Sequence, residues 1–302
     1  MALYAFDGTG NKDNPGDGKD TNVLKFYQAY EDGYHAEGKC FYVAGVGTQW
    51  GKLGKLLGSV FGTGGHKRIR EAMKALEKNF KKGDTAIDII GFSRGAALAL
   101  EFANEIHDQR VNGVKEPPIR FLGLWDTVAS FGLPGNNVNL GYHLTVPKNV
   151  GMCRHAIALD ERRFTFPLTR VVQDTYTDRR LKDVRGVWFR GYHSDVGGGN
   201  KNQGLSSIAL VWMFRRARDC KIVIPASHFN RHAALRNRNA LCKTPGMDLK
   251  DNKKRPIMST DIVHESVSRR KMAGKFQANN PPKGLRVAGD NGKILRKRFE
   301  QS

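Results

Sequence analysis

At 302 residues the chain is long enough to bury a sizeable core, as one large domain or two smaller ones. Its 39% hydrophobic and 26% charged residues describe an ordinary globular protein, and no run approaches the roughly 20 apolar residues that span a bilayer. The formal net charge of +21 is concentrated toward the C-terminus, where residues 228–302 carry 18 Lys or Arg against 6 Asp or Glu, an excess that favours an anionic partner.

The chain opens as M-A-L-Y-A-F, too short an apolar run and too poor in basic residues for a signal peptide. The expectation is a chain that stays in the cytoplasm of its producer unless a secretion machine delivers it. Leu3 to Phe6 reads as a strand that stops at D-G-T-G-N, and Phe41 to Val46 as a second strand followed by Gly47-Thr48. From His66 to Phe80, the residues Ile69, Met73, Leu76 and Phe80 recur at spacings of three and four, the period of an amphipathic helix. Ala86 to Gly91 is a third strand, and the Ala- and Leu-rich stretch Ala96 to Ile106 a helix. Ile119 to Trp125 and Val184 to Phe189 are further strands, and Leu205 to Arg218 another helix. Residues 130–183 yield no clear element. The last 75 residues show no period, and A-N-N-P-P-K-G reads as a loop or arm. No internal repeat is visible. The expected organisation is a core over residues 1–227 and a basic region over 228–302 packed on it or extending from it.

Short apolar strands separated by helices are the pattern of an α/β protein with a mostly parallel sheet flanked by helices. In such sheets ligands bind outside the carboxyl ends of the strands. Those ends are polar here: Asp7-Gly8-Thr9, Gly47-Thr48, Ser93, Asp126-Thr127 and, through Gly191, His193.

Gly91-Phe-Ser93-Arg-Gly95 matches G-x-S-x-G, a tight strand-to-helix turn that lifts a serine out of the sheet end. A structural turn is the plainer reading. The apolar A-I-D-I-I before it and A-A-L-A-L after it favour a nucleophile. A serine hydroxyl needs a base, and the base an orienting carboxylate. Among nine histidines, His193 in R-G-Y-H-S-D-V-G-G-G lies just past a strand with glycines on both sides, with His264 in reserve. His35, His66, His107, His143, His228 and His232 read as surface or packing residues, and His155 as a buried structural one. Asp126, ending L-G-L-W-D, is the favoured acid, with Asp160 and Asp195 as rivals. The order Ser93, Asp126, His193 is that of an α/β-hydrolase. The Arg94 amide and the D7-G-T-G-N11 loop, through Gly8 or Thr9 with Asp7 holding the loop, are the candidate oxyanion donors. The same loop read as a phosphate cradle lacks G-K-[ST], and a metal on Asp7, His193 and Asp195 has only scattered carboxylates behind it. No metal or cofactor is called for. Cys40, Cys153, Cys220 and Cys242 are widely spread without C-x-x-C, as structural thiols of a reducing compartment would be.

Five segments occur in one order: F-D-G-T-G-N, G-F-S-R-G-A, G-L-W-D-T-V, H-A-I-A-L-D-E-R-R and W-F-R-G-Y-H-S-D-V-G-G-G, with I-V-H-E-S-V-S-R-R as a late addition. In this the chain resembles, over roughly residues 2 to 270, the α/β-hydrolase domains of bacterial type VI secretion phospholipase effectors and related uncharacterised proteins. The resemblance implies a lipolytic serine hydrolase, Ser93 matching the family nucleophile, His193 its histidine and Asp126 its acid. It also implies a lipid or phospholipid substrate, with a secretion-machine or immunity protein as partner. Effectors of this family often carry extra domains or insertions for membrane contact. This chain has little room for them, and its basic C-terminal region is the candidate substitute at an anionic membrane. Two other readings compete: a general carboxylesterase or thioesterase on small soluble substrates, and a nucleic-acid-binding protein on a degenerate hydrolase scaffold. The second rests on charge alone, since no nucleic-acid motif is present.

Overall fold

The computed structural model describes residues 1–8, 20–36, 39–44, 59–129, 142–173, 183–200, 202–236, 253–269 and 278–300. Nine strands form one sheet in the order β13-β12-β11-β10-β8-β6-β3-β1-β2. They are β1 (Ala2–Phe6), β2 (Phe41–Val43), β3 (Ile87–Phe92), β6 (Ile119–Trp125), β8 (Cys153–Ala158), β10 (Val184–Phe189), β11 (Ile262–His264), β12 (Arg286–Ala288) and β13 (Ile294–Arg298). All neighbours pair in parallel except β12 with β13. Two small ladders, β4 (Arg110–Val111) with β5 (Val114–Lys115) and β7 (Thr145–Val146) with β9 (Val172–Gln173), lie outside the sheet.

Burial on both faces explains why the central strands read as continuous apolar runs. On one face α2 (Ser59–Lys81) and α3 (Arg94–Asp108) pack Ile69, Met73, Leu76, Leu98 and Phe102 against Tyr4, Phe6, Ile89 and Leu124. On the other, α1 (Asn22–Tyr34) and α5 (Gln203–Asp219) bring Phe26, Tyr30, Ile208 and Trp212 onto Leu3, Ile90, Phe121 and Phe189. A short helix α4 (His193–Gly197) precedes α5, and α6 (Ala226–Leu235) follows it. The architecture is that of an α/β-hydrolase-like fold, a mostly parallel sheet between two helical layers.

Several elements went unread in the sequence. Helix α1 begins at Thr21, whose hydroxyl accepts from the Leu24 N–H as an N-cap. Strand β8, C-R-H-A-I-A, carries Arg154 and His155 yet is buried throughout, so polar residues mask a buried strand. The C-terminal residues, which show no period, supply β11 to β13. Their inner residues Val263, Leu285, Val287 and Phe299 form a third cluster with Ile157, Leu159 and Trp188. Strand β13, I-L-R-K-R, is largely exposed, and its cations guard the sheet edge against further pairing. Strand β2 covers Phe41–Val43 of the expected Phe41 to Val46, and Gly47-Thr48 lie outside the described residues.

Candidate active site

Ser93 stands where β3 turns into α3, with φ 59° and ψ −126°, a backbone conformation that disfavours any residue with a Cβ. Its N–H still donates to the Trp125 carbonyl at 3.0 Å, so the residue is pinned to β6 while the chain reverses direction. Serine is a favoured helix N-cap, yet this one, at the N-cap of α3, makes no side-chain cap hydrogen bond. The flanking glycines are required by close approach. A Cβ on Gly95 would lie 2.1 Å from the Phe6 carbonyl oxygen, and one on Gly91 would lie 2.6 Å from the Gly95 carbonyl oxygen. Strand β1 abuts the same point: a Cβ on Gly8 would sit 3.3 Å from the Ser93 Cβ.

Asp126 follows β6 directly, at φ 39° and fully buried. His193 opens α4, just beyond β10. The two meet across the end of β8: His193 Nδ1 lies 2.6 Å from Asp126 Oδ2. With Asp126 ionised, Nδ1 carries the proton and Nε2 keeps the ring's lone pair. The imidazole lies between Phe92, the residue before Ser93, and Phe166, with ring centroids 4.6 and 4.8 Å away. Below it, the His193 N–H donates to Glu161 Oε2 at 3.1 Å, and Glu161 is itself gripped by Arg163.

Arg255, from the basic C-terminal region, was not anticipated. Its Nη1 donates to Asp126 Oδ1 at 2.6 Å and its Nη2 to Asp126 Oδ2 at 3.1 Å. The Ala158 N–H adds a bond to Oδ1 at 2.8 Å, so with His193 the carboxylate accepts four donors. Burial drives the Asp126 carboxyl up, and the Arg255 charge and His193 hydrogen bond more than reverse it, holding the group well below the usual carboxylate range. Burial dominates at His193 and lowers the imidazole from its ordinary value against the opposing pull of Asp126. Beneath Asp126, His155 Nε2 accepts the Thr127 N–H at 3.1 Å, and burial first of all brings its pKa down to about 4.

The rival residues lie elsewhere. Asp160 accepts from Arg190, the Gly191 N–H and the Asn279 N–H, so it shapes the turn before His193. Asp195 accepts the Tyr192 N–H at 3.0 Å and bonds to the Asn200 and Asn202 amides. His264 is buried against Phe189, its Nδ1 2.9 Å from the Ser266 hydroxyl. Among the described residues, His264, Glu265 and Asp290 bring candidate metal-ligand atoms within 4.8 Å of one another. Asp290 there is already paired with Arg236 at 2.6 Å. Asp7 Oδ2 accepts from the Thr21 and Tyr42 hydroxyls at 2.6 Å each, and Oδ1 accepts the Gly8 N–H at 2.6 Å. Thr9 lies outside the described residues. Burial, then the nearby Arg68 charge, lowers the Arg94 guanidinium to about 10. Burial likewise pushes the Cys153 thiol up to about 12 and those of Cys40 and Cys220 up to about 11, the mark of inert structural thiols.

Comparison with known proteins places the chain in a family. Residues 3–111 and 101–216 match the family described as type VI secretion system phospholipase effector Tle1-like, catalytic domain. The chain belongs to this family. The matched residues of the Tle1-like domain include Ser93, Asp126 and His193 and leave out Arg255. A curated relative, the uncharacterized protein YEL023C of Saccharomyces cerevisiae, is 28% identical over 220 residues, covering 54% of this chain and 31% of that protein. An uncharacterized protein from Pseudomonas aeruginosa has a similar solved fold, with TM-score 0.52 and 23% identity over 78% of this chain and 48% of that one. The Tle1 effector bound to the VgrG spike of the type 6 secretion system matches with TM-score 0.42 and 22% identity, over 67% of this chain and 51% of that one. A mutant of the esterase rPPE matches with TM-score 0.40 and 14% identity, over 74% of each chain. The Tle1-like domain thus spans under a third of its curated relative and about half of the first two structures. No helix among the described residues is long and apolar enough to cross a membrane.

Proposed function

We propose that the protein is a serine esterase that cleaves acyl esters of lipids, phospholipids foremost, through an acyl-enzyme on Ser93. The observation that carries this reading is Ser93 itself: a serine held at positive φ on a sheet end, at a helix N-cap it does not cap. In this reading His193 Nε2 takes the Ser93 proton as Oγ attacks the ester carbonyl, then gives it to the leaving alcohol. Water attacks the acyl-enzyme with His193 again as base. Asp126 fixes the tautomer and stabilises the imidazolium. The Arg94 N–H is the first oxyanion donor and the loop after β1 supplies the second, Gly8 by turning its N–H from Asp7 or Thr9 in its place.

Two features favour a phospholipid. Arg94 follows Ser93 in the chain and feels the Arg68 charge, and in this proposal the two cations meet a phosphate headgroup. Lys283, Arg286, Lys293, Arg296, Lys297 and Arg298 are exposed on and beside the last two strands, facing an anionic surface in this proposal. Membership of an effector family supports delivery by a secretion machine from a cytoplasmic store, with a spike or immunity protein as partner.

The test is fatty-acid release from phospholipid vesicles by the parent, Ser93→Ala and His193→Ala. Losses of about 10³-fold or more in both variants are expected. Variants as active as the parent would overturn the reading, and turnover confined to short soluble esters would reassign the substrate.

A further inference from the structure

We propose that Arg255 is a positioning residue of this site, a guanidinium clamp that holds Asp126 ionised and aimed at His193; the inference rests on the serine esterase reading. Four observations converge. The fork is bidentate, at 2.6 and 3.1 Å, on a carboxylate with no exposure to solvent. The same guanidinium is anchored by donating to the Ala158 and Phe166 carbonyls at 2.8 and 3.0 Å. Phe166 is also the ring against His193, so the clamp spans acid and base together. The Arg255 main chain is fixed in turn: Asn279 Nδ2 donates to the Arg255 carbonyl at 3.0 Å and to the Leu159 carbonyl at 2.9 Å, and the Asn279 N–H donates to Asp160.

The physical consequence follows from charge and geometry. A buried carboxylate without a cation gives up its charge or recruits water. Arg255 keeps Asp126 anionic, and its planar fork fixes the carboxylate plane so that Oδ2 meets Nδ1–H in line. The positive charge also lowers the affinity of the Asp126–His193 pair for a proton, so the base stays free to lower pH. Since Arg255 and Asn279 both lie in the basic region 228–302, that region contributes to the site rather than serving only as a membrane-facing appendage.

The experiment compares Arg255→Met and Arg255→Lys in the full chain on a soluble chromogenic ester. It adds thermal melts and a fluorophosphonate labelling control for Ser93. In Arg255→Met, the acid limb of the kcat/KM profile moves up by about one pH unit, as expected for the loss of a cation within hydrogen-bonding distance. A limb that stays at the parent pH, with activity falling only as the melting temperature falls, would overturn the proposal. Should the Met variant not fold, a double-mutant cycle decides. Arg255→Lys lowers kcat/KM about tenfold in the parent and has no further effect in an Asp126→Asn background, because it acts through that carboxylate. Equal losses in both backgrounds would show a role independent of Asp126. Failure of the parent to label at Ser93 would instead reject the esterase reading beneath it.

Discussion

His193 Nδ1 meets Asp126 Oδ2 at 2.6 Å across the end of β8, a strand to which neither residue belongs. The sheet order makes this possible: β6 delivers Asp126, β10 leads to His193, and β8 between them lends the Ala158 N–H, the Ala156 carbonyl that accepts the Asp126 N–H, and the loop that carries Glu161. Sixty-seven residues of chain separate the pair, yet parallel strands bring their C-terminal ends to one edge.

The turn from β3 into α3 at Ser93 should reveal stored strain. Ser93→Gly removes the Cβ that makes φ 59° unfavourable, whereas Ser93→Ala keeps it. Both variants lose esterase activity, and the Gly variant unfolds at higher denaturant than the Ala variant, by about 1 kcal/mol. Urea melts of the two check this. An Ala variant as stable as the Gly variant would mean that the turn carries no strain.

Gly95→Ala places a Cβ 2.1 Å from a main-chain oxygen of β1, so helix and strand must separate. A loss of about 3 kcal/mol or more, or insoluble protein, is expected. Gly83→Ala meets nothing within 4 Å and is disfavoured only by its φ of +82°, so about 1 kcal/mol is expected there. Thermal melts of the two separate contact from conformation.

The pH profile should be displaced to the acid side. The base proposed here is neutral His193, whose pKa is lowered chiefly by burial. It therefore stays unprotonated as the pH falls through 6.5, and the acid limb of kcat/KM lies below that value. Stability follows a related rule through His155. Its pKa of about 4 in the fold lies below its unfolded value near 6.5, so the unfolded chain binds the proton first. The stability held by neutral His155 is complete above pH 6.5 and lost as the pH falls through about 4, a change of about 3 kcal/mol. His155→Gln, measured by urea melts from pH 7 to 4, should flatten that dependence.

The exposed cations of β13 test the membrane side of the proposal. Replacing Arg296, Lys297 and Arg298 by Glu leaves short-ester turnover intact, since none of the three touches the site. Binding to anionic vesicles should fall at least about tenfold, with no change on zwitterionic ones. Sedimentation with vesicles of the two compositions at low and high salt reads this directly. Equal binding by parent and variant would remove the edge as a docking surface.

Much of this was legible in the residues, and what was missed has physical causes. Strands β3, β6 and β10 are mainly apolar and lead into Ser93, Asp126 and the turn to His193, so they announce the fold and the candidate site. Asp126 was favoured by its place at the end of a strand, yet all three of Asp126, Asp160 and Asp195 are acids at turns. Only the structure separates a carboxylate beside the imidazole from two that bind turns and main chain. Arg255 was invisible for another reason: in D-N-K-K-R-P one cation looks like its neighbours, and long-range packing singles it out. Strands β11 and β12 escaped notice because three residues cannot display a period.

In the proposed mechanism everything turns on Ser93 being an activated nucleophile. Incubating the protein with a fluorophosphonate and mapping the adduct by mass spectrometry tests it most directly. A stoichiometric adduct on Ser93 is expected in the parent, slowed by orders of magnitude in His193→Ala. An unlabelled parent, or an adduct on another residue with Ser93 free, would contradict it.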